Sequence, residues 1–186
     1  MTDCIALLRG INVGRAKRIA MADLRRLVEN LGHSNVRTLL NSGNVVFRAA
    51  RPNIGKIALV IESAIQEKFG FQATVVVLTA QDLNAIVAEN PLARAARDPS
   101  KYLVAFVAAT ATLAKAKPLL AQSWAPDALA VGSQAAYLWC ANGLIESRLM
   151  QAFTRATGVA ATTRNWATVL KLQAAAGASK ISALSA

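Results

Sequence analysis

Residues that can bind an anion are concentrated near the N-terminus. Arg9 ends an apolar run, Cys4–Leu8, and is followed by Gly10, Asn12 and Gly14. An arginine presents a fork of N–H donors, and a glycine-rich loop can turn backbone N–H groups towards a phosphate or carboxylate. More cations follow in the same segment: Arg15, Lys17 and Arg18. The segment lacks P-loop and dinucleotide-loop spacing, so the alternative is a connection whose glycines only satisfy backbone geometry.

A second polar segment, Asn41-Ser42-Gly43-Asn44, separates two strand-like runs. The simplest interpretation is a hairpin turn, because these residues tolerate the backbone angles that tight turns require. If strand pairing brings this turn beside the end of the first strand, Ser42 and Asn44 add polar contacts to a ligand.

A third candidate lies near the C-terminus. Thr163 is predicted to cap a helix, which places Arg164 and Asn165 in the first turn, where helix N–H groups favour anions. A cation at that position opposes the helix dipole, so Arg164 there needs a protein carboxylate or a ligand anion as partner. The alternative is a simple cap. The candidate ligand-binding residues are therefore Arg9, Gly10, Asn12, Gly14, Ser42, Asn44, Arg164 and Asn165.

Other catalytic residue types are sparse. His33 is the only histidine, and we expect it at the surface in a turn. The ten acidic residues show neither metal-site nor paired-carboxylate spacing, and Cys4 and Cys140 lie in apolar runs typical of buried thiols. We therefore expect no metal or cofactor, and catalytic residues are unknown.

The net charge of +11 and pI of about 10.5 favour anionic partners. Residues 1–56 hold ten of the 21 Lys and Arg residues and three of the ten acidic ones. We expect a binding protein for a small anionic or phosphate-bearing ligand. One alternative is non-specific nucleic-acid binding by the basic N-terminal third. No RNP motif occurs, and the aromatic residues on predicted strands are few. They are Phe47, Tyr102, Phe106, Tyr137 and Trp139. Another is an enzyme acting on a phosphorylated small molecule.

Hydrophobic periodicity and turn residues predict a βαββαβ order in residues 1–90, followed by a short helix. The predicted strands are 4–8, 35–40, 45–47 and 74–78, and the helices are 21–31, 52–69 and a short one ending near 88. The same order recurs in residues 101–176, with strands 101–107, 128–131, 135–140 and 159–162 and helices 112–122, 144–157 and 163–176. Residues 177–186 are predicted to be a flexible tail. The fold class is α+β, with two ferredoxin-like halves, each followed by an extra helix.

Three segments occur in a specific order along the chain: LLRGINVG, LNSGNVVF and TTRNWATVLKL. Together they resemble the bacterial family labelled domain of unknown function 1697. The resemblance implies an α+β fold with two ferredoxin-like halves, in agreement with the element count. It implies no activity, substrate, cofactor or catalytic residue.

No signal-peptide pattern or apolar stretch of membrane-spanning length is present. We expect a soluble cytoplasmic protein with no membrane partner. Its candidate partners are a small anion or a nucleic acid, and the sequence does not specify an oligomeric state.

Overall fold

The computed structural model describes residues 1–14, 16–50 and 52–181, and the side chains of residues 178–181 are outside this description. Arg15, Arg51 and the last five residues of the predicted tail lie outside the described residues.

The first four strands form an antiparallel sheet in the order β2-β3-β1-β4. Their bounds are β1 (Thr2–Arg9), β2 (Ser34–Leu39), β3 (Asn44–Ala49) and β4 (Thr74–Thr79). Cys4, Ala6 and Leu8 of β1 alternate onto one face, where they join a buried apolar cluster with residues of α1 (Met21–Asn30) and α2 (Ile54–Phe69). This is the arrangement expected for one ferredoxin-like half.

The next four strands form a second antiparallel sheet with the equivalent order, β6-β7-β5-β8. Their bounds are β5 (Tyr102–Val107), β6 (Ala128–Val131), β7 (Ala135–Trp139) and β8 (Ala161–Asn165). One face of this sheet packs with residues of α4 (Ala111–Ala114) and α5 (Arg148–Thr157). The helix α3 (Ala80–Glu89) follows the first half, and α6 (Trp166–Ile181) follows the second. The predicted fold class is therefore confirmed.

The chain divides into two compact units, and the boundaries fall within α3 and α6. The first unit comprises Met1–Leu83 and the part of α6 from Leu172 onwards, and the second comprises Asn84–Lys171. Within the first unit, the Arg37 guanidinium of β2 donates to the Ala175 carbonyl of α6, with an N–O distance of 2.6 Å.

The predicted helix 112–122 is wrong. The structure has the single turn of α4 and then a 3₁₀ segment, Lys117–Ala121, in its place. Pro118 lies at the start of the 3₁₀ segment. Proline has no N–H to donate, and its ring clashes with the preceding turn of an α-helix, so one continuous helix cannot form here.

Two other helices begin later than predicted, in each case at a capping side chain. α5 begins at Arg148 and not at Leu144, because the Ser147 hydroxyl accepts from the Met150 N–H at 3.0 Å. α2 begins at Ile54 behind Asn53, which caps the Lys56 N–H in the same way. Among the described residues, no helix is both long enough and apolar enough to cross a membrane.

Candidate functional site

The segment between β1 and α1 forms an irregular loop with several left-handed residues. Gly10 and Gly14 have φ angles of 74° and 65°, and Asn12 and Lys17 have φ angles of 54° and 55°. A lysine at positive φ is strained, since its Cβ crowds the backbone. Such strain persists only where the surrounding structure holds it, and it is common at binding sites.

Asn12 holds this loop together. Its Oδ1 accepts from the Ile19 N–H at 2.9 Å, and its Nδ2 donates to the Ile19 carbonyl, also at 2.9 Å. Its main-chain N–H donates to the Lys17 carbonyl at 3.0 Å. Both polar atoms of the Asn12 side chain are thus bonded to the backbone, and its role in the structure is to fix the loop's shape.

The hairpin between β2 and β3 lies against this loop. Asn12 Nδ2 also donates to the Asn41 carbonyl at 3.0 Å, and the Leu8 N–H donates to the Gly43 carbonyl at 2.8 Å. A Cβ built on Gly43 would lie 2.8 Å from Ile11 Cδ1, so only glycine fits this contact. The structure therefore brings together two segments that are 29 residues apart, through Asn12 and Asn41. We call their joint surface the loop–hairpin surface; it comprises residues 9–14, 16–18 and 41–44.

Ser42 and Asn44 have different positions in the hairpin. Ser42 is exposed, whereas Asn44 is fully buried at the start of β3. Asn44 Nδ2 donates to the Leu39 carbonyl and to Ser42 Oγ, both at 2.9 Å. Asn44 therefore shapes the turn that presents Ser42.

The cations of the loop–hairpin surface are not equivalent. Arg9 is half-buried at the end of β1, where it pairs with Thr74 of β4. Lys17 Nζ donates to the Gln72 carbonyl at 3.3 Å and lies 6.0 Å from the centre of the Phe71 ring. Arg18 is exposed and forms no ion pair with any residue that the structure describes.

Arg164 and Asn165 belong to the second unit, and the prediction that Thr163 caps a helix is wrong. All three residues lie in β8, because their backbone pairs with β5; Arg164 is opposite Val104. The cap is Asn165, whose Oδ1 accepts from the Thr168 N–H at 2.9 Å. Arg164 is therefore not in a helical first turn, and the dipole argument for an anion there does not apply.

The Arg164 guanidinium is nonetheless unusual in its burial. It is 9% exposed, and its Nη1 donates to Thr162 Oγ1 at 3.0 Å and to the Thr163 carbonyl at 2.8 Å. Burial lowers its pKa to about 10, because desolvation disfavours the charged form. These bonds hold the side chain along its own strand.

Four of the five predicted strand aromatics are closed to stacking bases, and the fifth, Trp139, is half-buried. Phe47, Tyr102, Phe106 and Tyr137 are at most 2% exposed. The Tyr137 hydroxyl donates to the Ile86 carbonyl at 2.8 Å and is 3.0 Å from a Glu89 carboxylate oxygen, so α3 residues cover it within the second unit. Sheet-based RNA readers need exposed rings, and these four rings are inaccessible.

The candidate nucleophiles and bases are also placed for packing. Cys4 and Cys140 are fully buried, and burial raises the pKa of Cys4 to about 11. His33 is half-buried, with its ring centre 4.6 Å from that of Phe47, and burial lowers its pKa. Within the described parts of the chain, no group of three His, Cys, Asp or Glu side chains is arranged to hold a metal ion.

Sequence reasoning missed two adjoining cavities in the second unit, of about 520 Å³ and 190 Å³. They share Trp124 and Arg148 in their walls. No motif marks them, because their lining residues come from the 3₁₀ segment, the turn after it, the segment before α5 and α5 itself. The helical spacing of Arg148, Gln151 and Arg155 was the one signal available.

Comparison with known proteins supports the fold. A solved structure of a conserved bacterial protein from Streptococcus pneumoniae aligns with a TM-score of 0.73 over 94% of this chain and 98% of that one, at 21% identity. At this identity the likeness shows the fold alone. No curated protein sequence matches this chain significantly.

A family model described as "Protein of unknown function (DUF1697)" matches residues 1–137. This match contains two of the three segments that suggested the family, LLRGINVG and LNSGNVVF, and the third lies beyond it. The match covers well over half of the chain, and the predicted family is confirmed: the chain belongs to the DUF1697 family of proteins of unknown function.

Proposed function

We propose that this protein binds a small anionic or phosphate-bearing ligand at the loop–hairpin surface. The observation that carries the proposal is the pair of bonds, from Asn12 to Asn41 and from Leu8 to Gly43, that joins the basic loop to the hairpin. These bonds fix a polar surface with charged residues beside it. Preorganised sites bind anions better than mobile ones, because less ordering is needed on binding.

The charges near this surface fit an anion. Arg18 is an exposed cation, and Arg9 adds a guanidinium at the strand end. Guanidinium groups bind phosphate and carboxylate oxygens with paired, charge-assisted hydrogen bonds. Ser42 adds an exposed hydroxyl. In this proposal Asn12, Asn44 and the glycines shape the site, and the arginines and Ser42 contact the ligand.

The test is thermal unfolding in sulfate or phosphate, compared with chloride at equal ionic strength. An anion at 100 times its Kd stabilises the folded state by about 2.7 kcal/mol. We expect Arg18→Gln and Arg9→Gln to remove the added stability. Lys56→Gln is the matched control, since it removes one charge from the same unit, on α2. An equal loss in the Lys56→Gln variant, or no effect of either anion, would contradict the proposal.

Non-specific nucleic-acid binding is the second candidate. The exposed cations of the first unit favour it, and the burial of Phe47, Tyr102, Phe106 and Tyr137 favours phosphate contacts over base stacking. An enzyme acting on a phosphorylated molecule is the third. Turnover of a phosphoryl substrate would support this third candidate if the turnover is lost in Arg9→Gln.

A further inference from the structure

The larger cavity of the second unit has a composition suited to a charged ligand. Its wall contains Gln122 and Trp124, which follow the 3₁₀ segment, and Arg148, Gln151 and Arg155 of α5. It contains no acidic residue. It is a depression open to solvent, with a volume of about 520 Å³, and small-molecule sites span about 300–1,000 Å³.

The α5 residues form one basic face. Arg148, Gln151 and Arg155 are three and four residues apart, so their side chains project from the same side of the helix, and all three are exposed. Neither arginine forms an ion pair or side-chain hydrogen bond with any residue in the described ranges. The first turn of α5 has no acidic residue to balance Arg148. Two guanidinium groups without an ion pair therefore line the cavity, and Arg148 also lines the smaller cavity together with Asp127 and Glu146.

Trp124 gives the cavity a fixed aromatic wall. Its indole N–H donates to the Leu119 carbonyl at 2.8 Å, and its ring packs against the buried cluster of the second sheet. It also lines the smaller cavity, whose wall includes the exposed Glu146 carboxylate. An aromatic ring held in place loses little entropy when a planar base stacks on it.

We propose that this cleft binds a free mononucleotide, with its phosphate between Arg148 and Arg155 and its base against Trp124. Gln151 lies between the two arginines on this helix face and supplies an amide N–H to the phosphate, and Gln122 supplies donors and acceptors for the base edge. The carboxylate of Glu146 makes the smaller cavity unsuited to phosphate but suited to ribose hydroxyls, which donate hydrogen bonds. The proposal is independent of the loop–hairpin surface, because it uses only residues of the second unit.

Equilibrium dialysis with radiolabelled AMP tests the proposal. Each guanidinium–phosphate bond contributes enough that its loss should weaken AMP binding by about tenfold or more. We expect this loss in Arg155→Gln and unchanged binding in Arg94→Gln, the matched control, which removes an exposed arginine of the same unit that does not line the cavity. Unlabelled adenosine and inorganic phosphate should each compete at least tenfold less well than AMP.

Two further variants separate the two proposed sites and the two halves of the ligand. AMP also carries the kind of group proposed for the loop–hairpin surface, so dialysis is repeated in an Arg18→Gln background, where Arg155→Gln should still weaken AMP binding by about tenfold. Loss in Arg18→Gln but not in Arg155→Gln would overturn the cleft proposal and support the loop–hairpin surface. Trp124→Leu should weaken the competition by adenosine, and Trp124→Phe should retain it. Circular dichroism of both variants checks that they fold. The proposal would be overturned by any of three results. These are absence of AMP binding, equal AMP binding by Arg155→Gln and Arg94→Gln, and competition by phosphate as strong as that by AMP.

Discussion

Gly43→Ala provides a direct test of the contact between the loop and the hairpin. Gly43 has a φ of 72°, a region that costs other L residues about 1–2 kcal/mol. An added Cβ would lie 2.8 Å from Leu8 Cβ and 2.8 Å from Ile11 Cδ1. Leu8 Cβ is attached to a buried strand and cannot rotate away, so the substitution also overpacks the core.

The two effects can be separated with Gly70→Ala. Gly70 belongs to the same unit and has a φ of 76°, but nothing lies within 4 Å of a Cβ built there. Gly70→Ala should therefore cost only the backbone term of about 1–2 kcal/mol. Gly43→Ala should cost about 1–3 kcal/mol more, the usual range for overpacking. The expected total, about 2–5 kcal/mol, is a large fraction of the stability of a typical domain.

Urea unfolding followed by circular dichroism measures both variants. Because the two glycines lie in one unit, both substitutions should act on the same transition, even if the two units unfold separately. A midpoint for Gly43→Ala equal to that of Gly70→Ala would refute the close contact. It would also remove the geometric basis of the loop–hairpin surface.

Three further predictions concern chemistry and charge. The thiols of Cys4 and Cys140 should react with a disulfide reagent only after unfolding, because both are buried and burial raises the pKa of both; rapid reaction of the folded protein would contradict their burial. Burial lowers the pKa of His33 from its ordinary value of 6.5, because it disfavours the charged imidazole. The stability that the neutral His33 side chain contributes is therefore complete above about pH 6.5 and is lost as the pH falls through the lower pKa of the folded state. The urea midpoint should therefore fall more between about pH 7 and about pH 5 in the parent than in His33→Gln, and equal pH dependence would exclude this cause. Labelled single-stranded RNA should bind weakly, without base preference, and should lose affinity steeply between about 50 and 200 mM salt; tight, salt-insensitive or base-selective binding would show that stacking or base contacts operate.

The sequence predicted most of the fold because its strongest local signals agree with the long-range pairing. The predicted end of α2 at residue 69 is correct, with Gly70 following it in the left-handed conformation, and Asn41–Asn44 forms the predicted turn. The repeated element order corresponds to two sheets with equivalent strand orders. Apolar periodicity and turn residues are local signals. They were sufficient to predict an element's bounds wherever the element ended at a turn residue.

The errors occurred where a competing residue or a distant partner decides the structure. Pro118 should have excluded a helix across residues 112–122, since its missing N–H is visible in the sequence. Thr163 is different: it is a good capping residue, and only pairing with β5 shows that the strand continues through it. For the same reason the placement of Arg164 could not be predicted from local sequence.

The candidate site was predicted in part, and its geometry explains which part. The hypothesis that the hairpin lies beside the end of β1 follows from the ferredoxin-like strand order, which places β3 next to β1. The sequence did not show that Asn12 and Asn44 use their side chains to bond the backbone. In both loops the asparagine side chains stabilise the backbone, so the exposed groups around them are the ones that we expect to contact a ligand. Substitution of Asn12 and of Arg18 should therefore have different consequences: loss of Asn12 should lower stability and anion binding together, whereas loss of Arg18 should lower anion binding alone. A variant of Asn12 that retains full stability and loses binding would mean that its amide contacts the ligand directly.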